Sequence, residues 1–319
     1  MAAVITRALA GQTVSALALG TANFGGIGSA RRLIGQGESE AEAHALLDCA
    51  LALGITLIDT AGSYADGASE AMIGRWLRTR TATERAQLKI SSKVGLRGGL
   101  SAQTIERAVT QSLARLGIDT LDFYMAHIPD PTVAWPDVMD TMTRLQEAGL
   151  IRAFGLSNVT ASDIAACLTA RNRPAFVQKR FNLLDQADAQ AGVMAMCREN
   201  GLDYTSYSPL AGGLLSGRYA YAEKVPDGSR LALRADLYAH LWKPDLDAQI
   251  KALKALADAQ GMSLSGLAVW WLVPHPAVTT VMLGARTPRQ LEQLARDVLA
   301  LPFDATLFAA TGAAARIGS

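Results

Sequence analysis

The feature that most constrains this fold is a rhythm. From residue 37 onward, segments with apolar residues at helical spacing alternate with short runs rich in β-branched residues, and the alternation continues along the chain. The first helix is framed by a possible capping box at Ser39 and Glu42. Ala43, Leu46, Leu47 and Ala50 recur on one face, and Gly54 falls where a left-handed terminal residue is wanted. A strand is expected at 56–59, then a helix at 70–78, a strand at 88–93, and a helix at 101–116 closed by Gly117. The series goes on with a strand at 121–126, a helix at 136–148, a strand at 153–157 and a helix at 162–169. Residues 177–178, 203–207 and 279–283 supply three more strands, and 17–20 one at the front.

Eight strands alternating with helices is the number that closes a parallel barrel with helices outside. The expected fold class is therefore α/β, a (β/α)8 TIM barrel with an N-terminal β-hairpin and extra loop or helix elements, in one domain over residues 1–319. The competitor is an open doubly wound sheet, which usually places a glycine-rich dinucleotide turn after a strand. No GxGxxG occurs, because Gly26 and Gly28 are followed by Arg31 where the third glycine should stand. Residues 219–245 break the rhythm with charge and turn residues before a helix at 248–259, and are expected as a loop insertion over one end of the barrel. After Leu301 there is room for one terminal helix.

Half of the 319 residues are apolar and 18% are charged, which supplies a large core and argues against disorder. Thirty basic against 29 acidic residues leave a formal charge of +1, so no general attraction for nucleic acid or anionic lipid is expected and any anion site must be local. Cys49, Cys167 and Cys197 are odd in number and widely spaced, which points to neither a disulfide framework nor a zinc site and fits a reducing cytoplasm. His44, His127, His240 and His275 offer no pair at ligand spacing, so no metal is expected. Residues 14–22 are apolar and rich in small residues. Arg7, Gly11 and Gln12 interrupt any longer apolar core, so short strands are expected there rather than a signal peptide. No stretch approaches the ~18 apolar residues of a membrane span.

In a barrel of this kind chemistry collects at the C-terminal ends of strands. Asp59 ends the second strand, Tyr64 lies just beyond it, Lys93 ends the third and His127 ends the fourth. Each alone has an ordinary explanation as a turn cap, a packed ring, a solvated end or a structural histidine. Together they make an acid–base system. A tyrosine titrates near ~10, and an ammonium beside it is expected to lower that value and favour the phenolate. Asp59 would hold the lysine charged, and His127 would donate to a carbonyl oxygen. The set suits a carbonyl that gains hydride at carbon and a proton at oxygen.

The chain resembles the aldo-keto reductases through GTANFGG at 20–26, DTAGSY at 59–64, SSKVG at 91–95, and LDFYMAHIPDP at 121–131. The likeness continues with GLIRAFGLSN at 149–158, VQKRFNLLD at 177–185, YSPLAGGLLSGRY at 207–219 and VMLGARTPRQLE at 281–292. That resemblance implies Asp59, Tyr64, Lys93 and His127 as a catalytic tetrad, with Tyr64 the general acid in reduction. The protein would then be an oxidoreductase moving hydride between a nicotinamide cofactor and a small carbonyl compound, or oxidising an alcohol or sugar in reverse.

The resemblance also implies a cofactor surface. Tyr207 would stack on the nicotinamide, and Ser157, Asn158 and Gln178 would hydrogen-bond its carboxamide. Gly20, Thr21, Ala22, Asp59, Ser208, Leu210, Gly212, Leu214, Ser216, Gly284 and Gln290 complete it. The glycine run 212–217 allows close backbone approach to a pyrophosphate. It nearly spells a Walker A loop, but Arg218 and Tyr219 stand where Lys and then Ser or Thr are needed. Arg286, ahead of a helix beginning near Pro288, is placed to meet an adenosine 2′-phosphate in bidentate fashion. NADPH is therefore expected in preference to NADH, which stays possible.

Two departures from the family's pattern stand out. Leu294 follows Gln293 where relatives often place an acidic residue and asparagine around the adenine, and Ala65 replaces the glycine that often follows the tyrosine. Phe24, Tyr64, His127 and Ile128 are expected to border the substrate pocket, with Trp135 a more distant candidate. The alternative activity is that of a cofactor-binding regulatory subunit with weak or no turnover, as some channel-associated relatives are.

Overall fold

A computed structural model describes residues 5–186, 189–221 and 224–317 of the chain. Strand β1 (Thr6–Leu9) turns into β2 (Gln12–Ser15) through Ala10 and Gly11, whose φ angles of 48° and 75° are the left-handed pair that a two-residue hairpin requires. The Ala10 N–H donates to Asp203 Oδ2 at 2.7 Å and the Gln12 amide to the Asp122 carbonyl at 3.2 Å. The hairpin thus lies across the N-terminal end of the strands that follow.

Those strands are β3 (Leu17–Gly20), β4 (Leu57–Asp59), β5 (Lys89–Val94), β6 (Leu121–Ala126), β7 (Ile151–Ser157), β8 (Phe176–Arg180), β9 (Asp203–Tyr207) and β10 (Thr280–Leu283). They close into a parallel barrel in the order β10-β3-β4-β5-β6-β7-β8-β9. Every residue of β6 and of β10 is buried, as expected for strands covered on both faces.

Two cores result. Inside the barrel Ala18, Leu57, Phe123, Met125, Phe176 and Met282 form one cluster, sealed from below by Leu9 and Val14 of the hairpin. Phe123 and Phe176 meet there edge-on, centroids 5.7 Å apart. Outside, a larger cluster that includes Leu46, Ile105, Val109, Met142 and Trp270 fills the space between strands and helices.

Local signals set the helix ends. The Ser39–Glu42 capping box opens Glu40–Ala52, and Gly117, at φ 67°, ends Ala102–Leu116. All eight expected strands are present, with limits moved by a residue or two; residues 177–178 are the middle of the five-residue β8.

Three helices depart from the sequence reading: Ala82–Gln87, Met194–Glu199 and Leu264–Leu272. The first carries a legible Thr81–Glu84 capping box. The third shows no amphipathic stripe because nearly all of it is buried. The expected loop at 219–245 contains helical turns at Arg230–Leu233, Ala235–Tyr238 and Ala239–Leu241; its residues 222 and 223 lie outside the described residues. No described helix is long and apolar enough to cross a membrane.

Candidate active site

Three neighbouring strands bring ionisable groups to one rim of the barrel. Asp59 is last in β4, Lys93 is next to last in β5, and His127 follows β6 with its N–H on the Val94 carbonyl at 2.7 Å. Lys93 Nζ donates to Asp59 Oδ2 at 2.6 Å and to the Thr60 carbonyl at 2.8 Å. Ser91 Oγ and Gln178 Nε2 each donate to Asp59 Oδ1 at 3.1 Å. The lysine and aspartate side chains are 1% and 5% exposed. Solvent and salt therefore screen their attraction little.

Tyr64 reaches this pair through a sharp turn. Ala65, Asp66 and Gly67 are all left-handed, at φ 46°, 59° and 92°, a conformation that costs a residue with a Cβ about 1–2 kcal/mol. The Ala65 N–H donates to the Gly28 carbonyl at 3.1 Å, and Arg97 bonds both Asp66 and the Ser29 carbonyl, so neighbouring loops hold the turn. The turn sets the phenol beside the ion pair, with Lys93 Nζ 5.1 Å from the ring centroid. The His127 ring meets it edge-on at 5.7 Å. The four sequence-predicted residues are thus neighbours in space.

Burial presses the Lys93 ammonium to lose its proton, but the Asp59 carboxylate and the Tyr64 phenol outweigh it and hold Lys93 above the usual lysine range. For Tyr64 burial is the larger effect: it pushes the phenol up against the opposing Lys93 charge. The lowered phenol expected from sequence is therefore corrected in sign, because withdrawing the hydroxyl from water disfavours the anion more than the ammonium favours it. Burial, then the Lys93 charge, push His127 down to about 3, so its imidazole is neutral at physiological pH. Ser63 Oγ lies 3.4 Å from His127 Nδ1 and 2.8 Å from Ser29 Oγ.

The residues expected around a nicotinamide form a connected polar set beside the phenol. Asn158 Nδ2 donates to the His127 carbonyl at 2.8 Å and to Ser157 Oγ at 3.1 Å, while Asn158 Oδ1 accepts from the Tyr207 hydroxyl at 2.6 Å. Burial, opposed by Arg180, pushes Tyr207 up to about 12, which keeps it a donor. Asn158, Lys179, Arg180, Asp185 and Tyr207 line a cavity of about 130 Å³.

Beyond β9, Ser208, Ala211, Gly212, Gly213 and Gly217 are all left-handed. A Cβ on Gly212 would come within 2.7 Å of the Tyr238 ring, so glycine is required there. Leu210 begins this turn, Leu214 is buried beneath it, and Ser216 Oγ donates to the Gly213 carbonyl at 2.6 Å. Gly20 ends β3; next to it the Thr21 hydroxyl donates to the Asp59 carbonyl at 3.0 Å, and the Ala22 carbonyl accepts from Gly28 N–H. Gly284 would have no atom near an added Cβ, so this backbone is open to approach. The Gln290 side chain accepts from the Arg286 N–H at 2.9 Å.

Two pocket expectations change. Phe24 is 1% exposed and belongs to the outer core, so it does not border an open pocket; Ile128 is half-buried. Trp135 donates its ring N–H to Asp163 at 3.0 Å, which accounts for it structurally.

The sequence reading also missed polar partners. Arg286 Nε donates to Glu38 at 2.8 Å, and that carboxyl is raised by burial against the pull of Arg286. Arg230, from the insertion, reaches Asn23 at 2.5 Å. Ser63 stood inside a quoted motif beside Tyr64 and was legible; Glu38 and Arg230 meet partners too distant in sequence to be read.

The sequence model described as "Aldo/keto reductase family" matches residues 16–315. "Protein tas" of Escherichia coli is 30% identical, with 90% of this chain and 92% of that protein covered. An Arabidopsis thaliana protein described as "Probable voltage-gated potassium channel subunit beta" is 28% identical over 82% of this chain and 83% of its own length. Among solved structures, an aldo-keto reductase from Klebsiella pneumoniae in complex with NADPH superposes with a TM-score of 0.73 at 24% identity. The match covers 96% of this chain and 93% of that one, a likeness of fold.

Proposed function

The chain belongs to the aldo/keto reductase family of oxidoreductases, and on that premise we propose that it transfers hydride between NADPH and a small aldehyde or ketone, or the reverse from an alcohol or sugar. The observation that carries this reading is the buried Asp59–Lys93 pair beside the Tyr64 phenol, with neutral His127 against the same ring.

The cofactor assignment draws support from the polar set around Asn158, the left-handed glycine turn and the open Gly284 backbone. Ser157, Asn158 and Gln178 would hold the carboxamide, Tyr207 the ring face, and the 212–217 turn the pyrophosphate. Arg286 would exchange Glu38 for the 2′-phosphate, which gives NADPH its advantage over NADH. The reduced nicotinamide, when bound, supplies the hydride.

Tyr64 donates its proton to the carbonyl oxygen as negative charge develops there. A raised phenol suits that direction, since it still carries its proton at neutral pH. Lys93 then stabilises the phenolate until solvent restores the proton, and Asp59 keeps Lys93 charged and placed. A Ser63 hydroxyl that donates to His127 Nδ1 would place the imidazole proton on Nε2, from which it would donate to the same carbonyl oxygen.

The relative described as a channel subunit supports a second reading, a cofactor-binding regulatory subunit with little or no turnover. A broad carbonyl and alcohol panel, run in both directions with NADP(H) and NAD(H), separates the two. Carbonyl-dependent NADPH oxidation is the expected result; tight NADPH binding with no oxidation across the panel would favour the subunit.

A further inference from the structure

Beside the Tyr64 turn lies an ion pair that the tetrad does not use. Glu70, in the first turn of the helix Ala68–Arg78, is 0% exposed. Its Oε1 accepts from Ser92 Oγ at 2.6 Å and its Oε2 from Arg115 Nη1 at 2.6 Å. Ser92 immediately precedes Lys93 in β5, and Arg115 belongs to the helix Ala102–Leu116. One carboxylate thus joins the helix that follows the turn, the strand that carries the lysine, and a neighbouring helix. A carboxylate buried this fully costs much to desolvate, and apolar groups of similar volume often hold a core as well. Stability alone is a weak reason for the pair, and its placement supplies a better one.

Arg115 backs the turn. A Cβ on Gly67 would fall 2.7 Å from Arg115 Nε and 2.9 Å from its Cζ, so the guanidinium closes directly against the left-handed end of the turn. Its Nη1 lies 3.8 Å from where a Cβ on Gly62 would stand, ahead of the tyrosine. The Arg115 backbone is fixed too, because Gly74 packs so closely on its carbonyl that an added Cβ would collide. Elsewhere the turn is held by Gly28, Ser29 and Arg97, and its base is closed by the Thr60 and Ser69 hydroxyls at 2.9 Å. The base survives without Arg115. The strained residues Ala65, Asp66 and Gly67, however, lose the group that keeps them from relaxing.

We infer that Arg115, held by Glu70, is a positioning residue: by filling the space against Gly67 it fixes where the Tyr64 hydroxyl stands relative to Lys93 and to the carbonyl that receives its proton. This rests on the reductase reading above and adds to it two residues outside both the tetrad and the cofactor surface.

The test measures kcat and KM for carbonyl reduction, NADPH affinity and urea unfolding on the wild type, Arg115→Met, Arg115→Lys and Glu70→Gln. Arg115→Met keeps an apolar stem but removes the planar group; a hydroxyl displaced by about 1 Å costs on the order of 10²-fold in rate. That loss should appear in kcat, with KM and NADPH affinity nearly unchanged. Arg115→Lys still offers Glu70 a cation but no planar fork, so it should recover the stability lost in Arg115→Met and only part of kcat. A general loosening of the barrel would instead lower NADPH affinity along with kcat, and that result, like an unchanged kcat in Arg115→Met, overturns the inference. If Arg115→Met does not fold, Glu70→Gln decides. It keeps the volume and an acceptor for Ser92 but turns an amide toward Arg115, so kcat should again fall alone, and an unchanged kcat is contrary. If no carbonyl turns over in the wild type, the reductase reading fails separately. Crystal structures of the wild type and of whichever variant folds then decide the positioning: a Tyr64 hydroxyl shifted from Lys93 by about 1 Å or more supports it, and an unmoved one overturns it.

Discussion

Lys93→Met separates what the buried ion pair does for the fold from what it does for the chemistry. The ammonium is 1% exposed and 2.6 Å from Asp59 Oδ2; without it that oxygen loses its cation, and the two remaining donors, Ser91 and Gln178, both serve Oδ1. Removing one partner of a buried pair costs about 3–5 kcal/mol, whereas replacing both with apolar groups of similar volume is near neutral. For a chain of this size, about 2 °C per kcal/mol puts the fall in Tm at roughly 6–10 °C. Lys93→Met combined with Asp59→Leu should recover most of that loss and remain inactive, since the phenol then lacks the ammonium that acts on it most strongly. Urea unfolding and carbonyl-dependent NADPH oxidation on the wild type, the single and the double variant provide the assay. A loss below about 1 kcal/mol in the single variant, or a double variant no more stable than the single, would refute the reasoning about the pair. Activity in the double variant would refute its role in proton transfer.

Two further outcomes follow from the site's electrostatics. Because His127 is held at about 3 and Tyr64 lies above its ordinary value, kcat/KM for reduction should show no inflection near ~6.5, where an unperturbed imidazole titrates, and should fall only beyond ~10. The oxidative direction, which needs the phenolate, should rise with pH over the same upper range; an imidazole-like limb in the reductive profile would contradict the His127 assignment. Arg286→Ala should weaken NADPH at least about tenfold with little change for NADH, while Glu38→Gln, which frees the guanidinium, should tighten NADPH. Fluorescence titration checks both, and equal effects on the two cofactors would remove Arg286 as the discriminator.

How much of this was legible in the chain depends on how local each cause is. The strands of the barrel could be read because parallel strands buried on both faces are mostly apolar, as β6 is apart from Asp122 and the Tyr124 hydroxyl and β10 apart from Thr280. The tetrad could be read because its members sit where those runs break into ionisable residues. Leu264–Leu272 escaped because a helix buried nearly all round loses the stripe that announces a helix. The pairing of Arg286 with Glu38 spans 248 positions, and nothing local signals it. Phe24 looked like a pocket residue by its motif, yet the outer core takes up its ring. The sign of the Tyr64 shift failed for a related reason: the lysine could be seen in the sequence, but the burial that outweighs it is a product of the whole fold.

The account turns on one hydroxyl, and Tyr64→Phe tests it most directly, with NADPH affinity and carbonyl reduction measured on the same preparation. Removing the oxygen leaves the ring in place, so cofactor affinity should stay within about twofold while turnover falls by about 10²–10⁴-fold, the usual share of a positioned proton donor. Turnover close to that of the wild type would contradict the account.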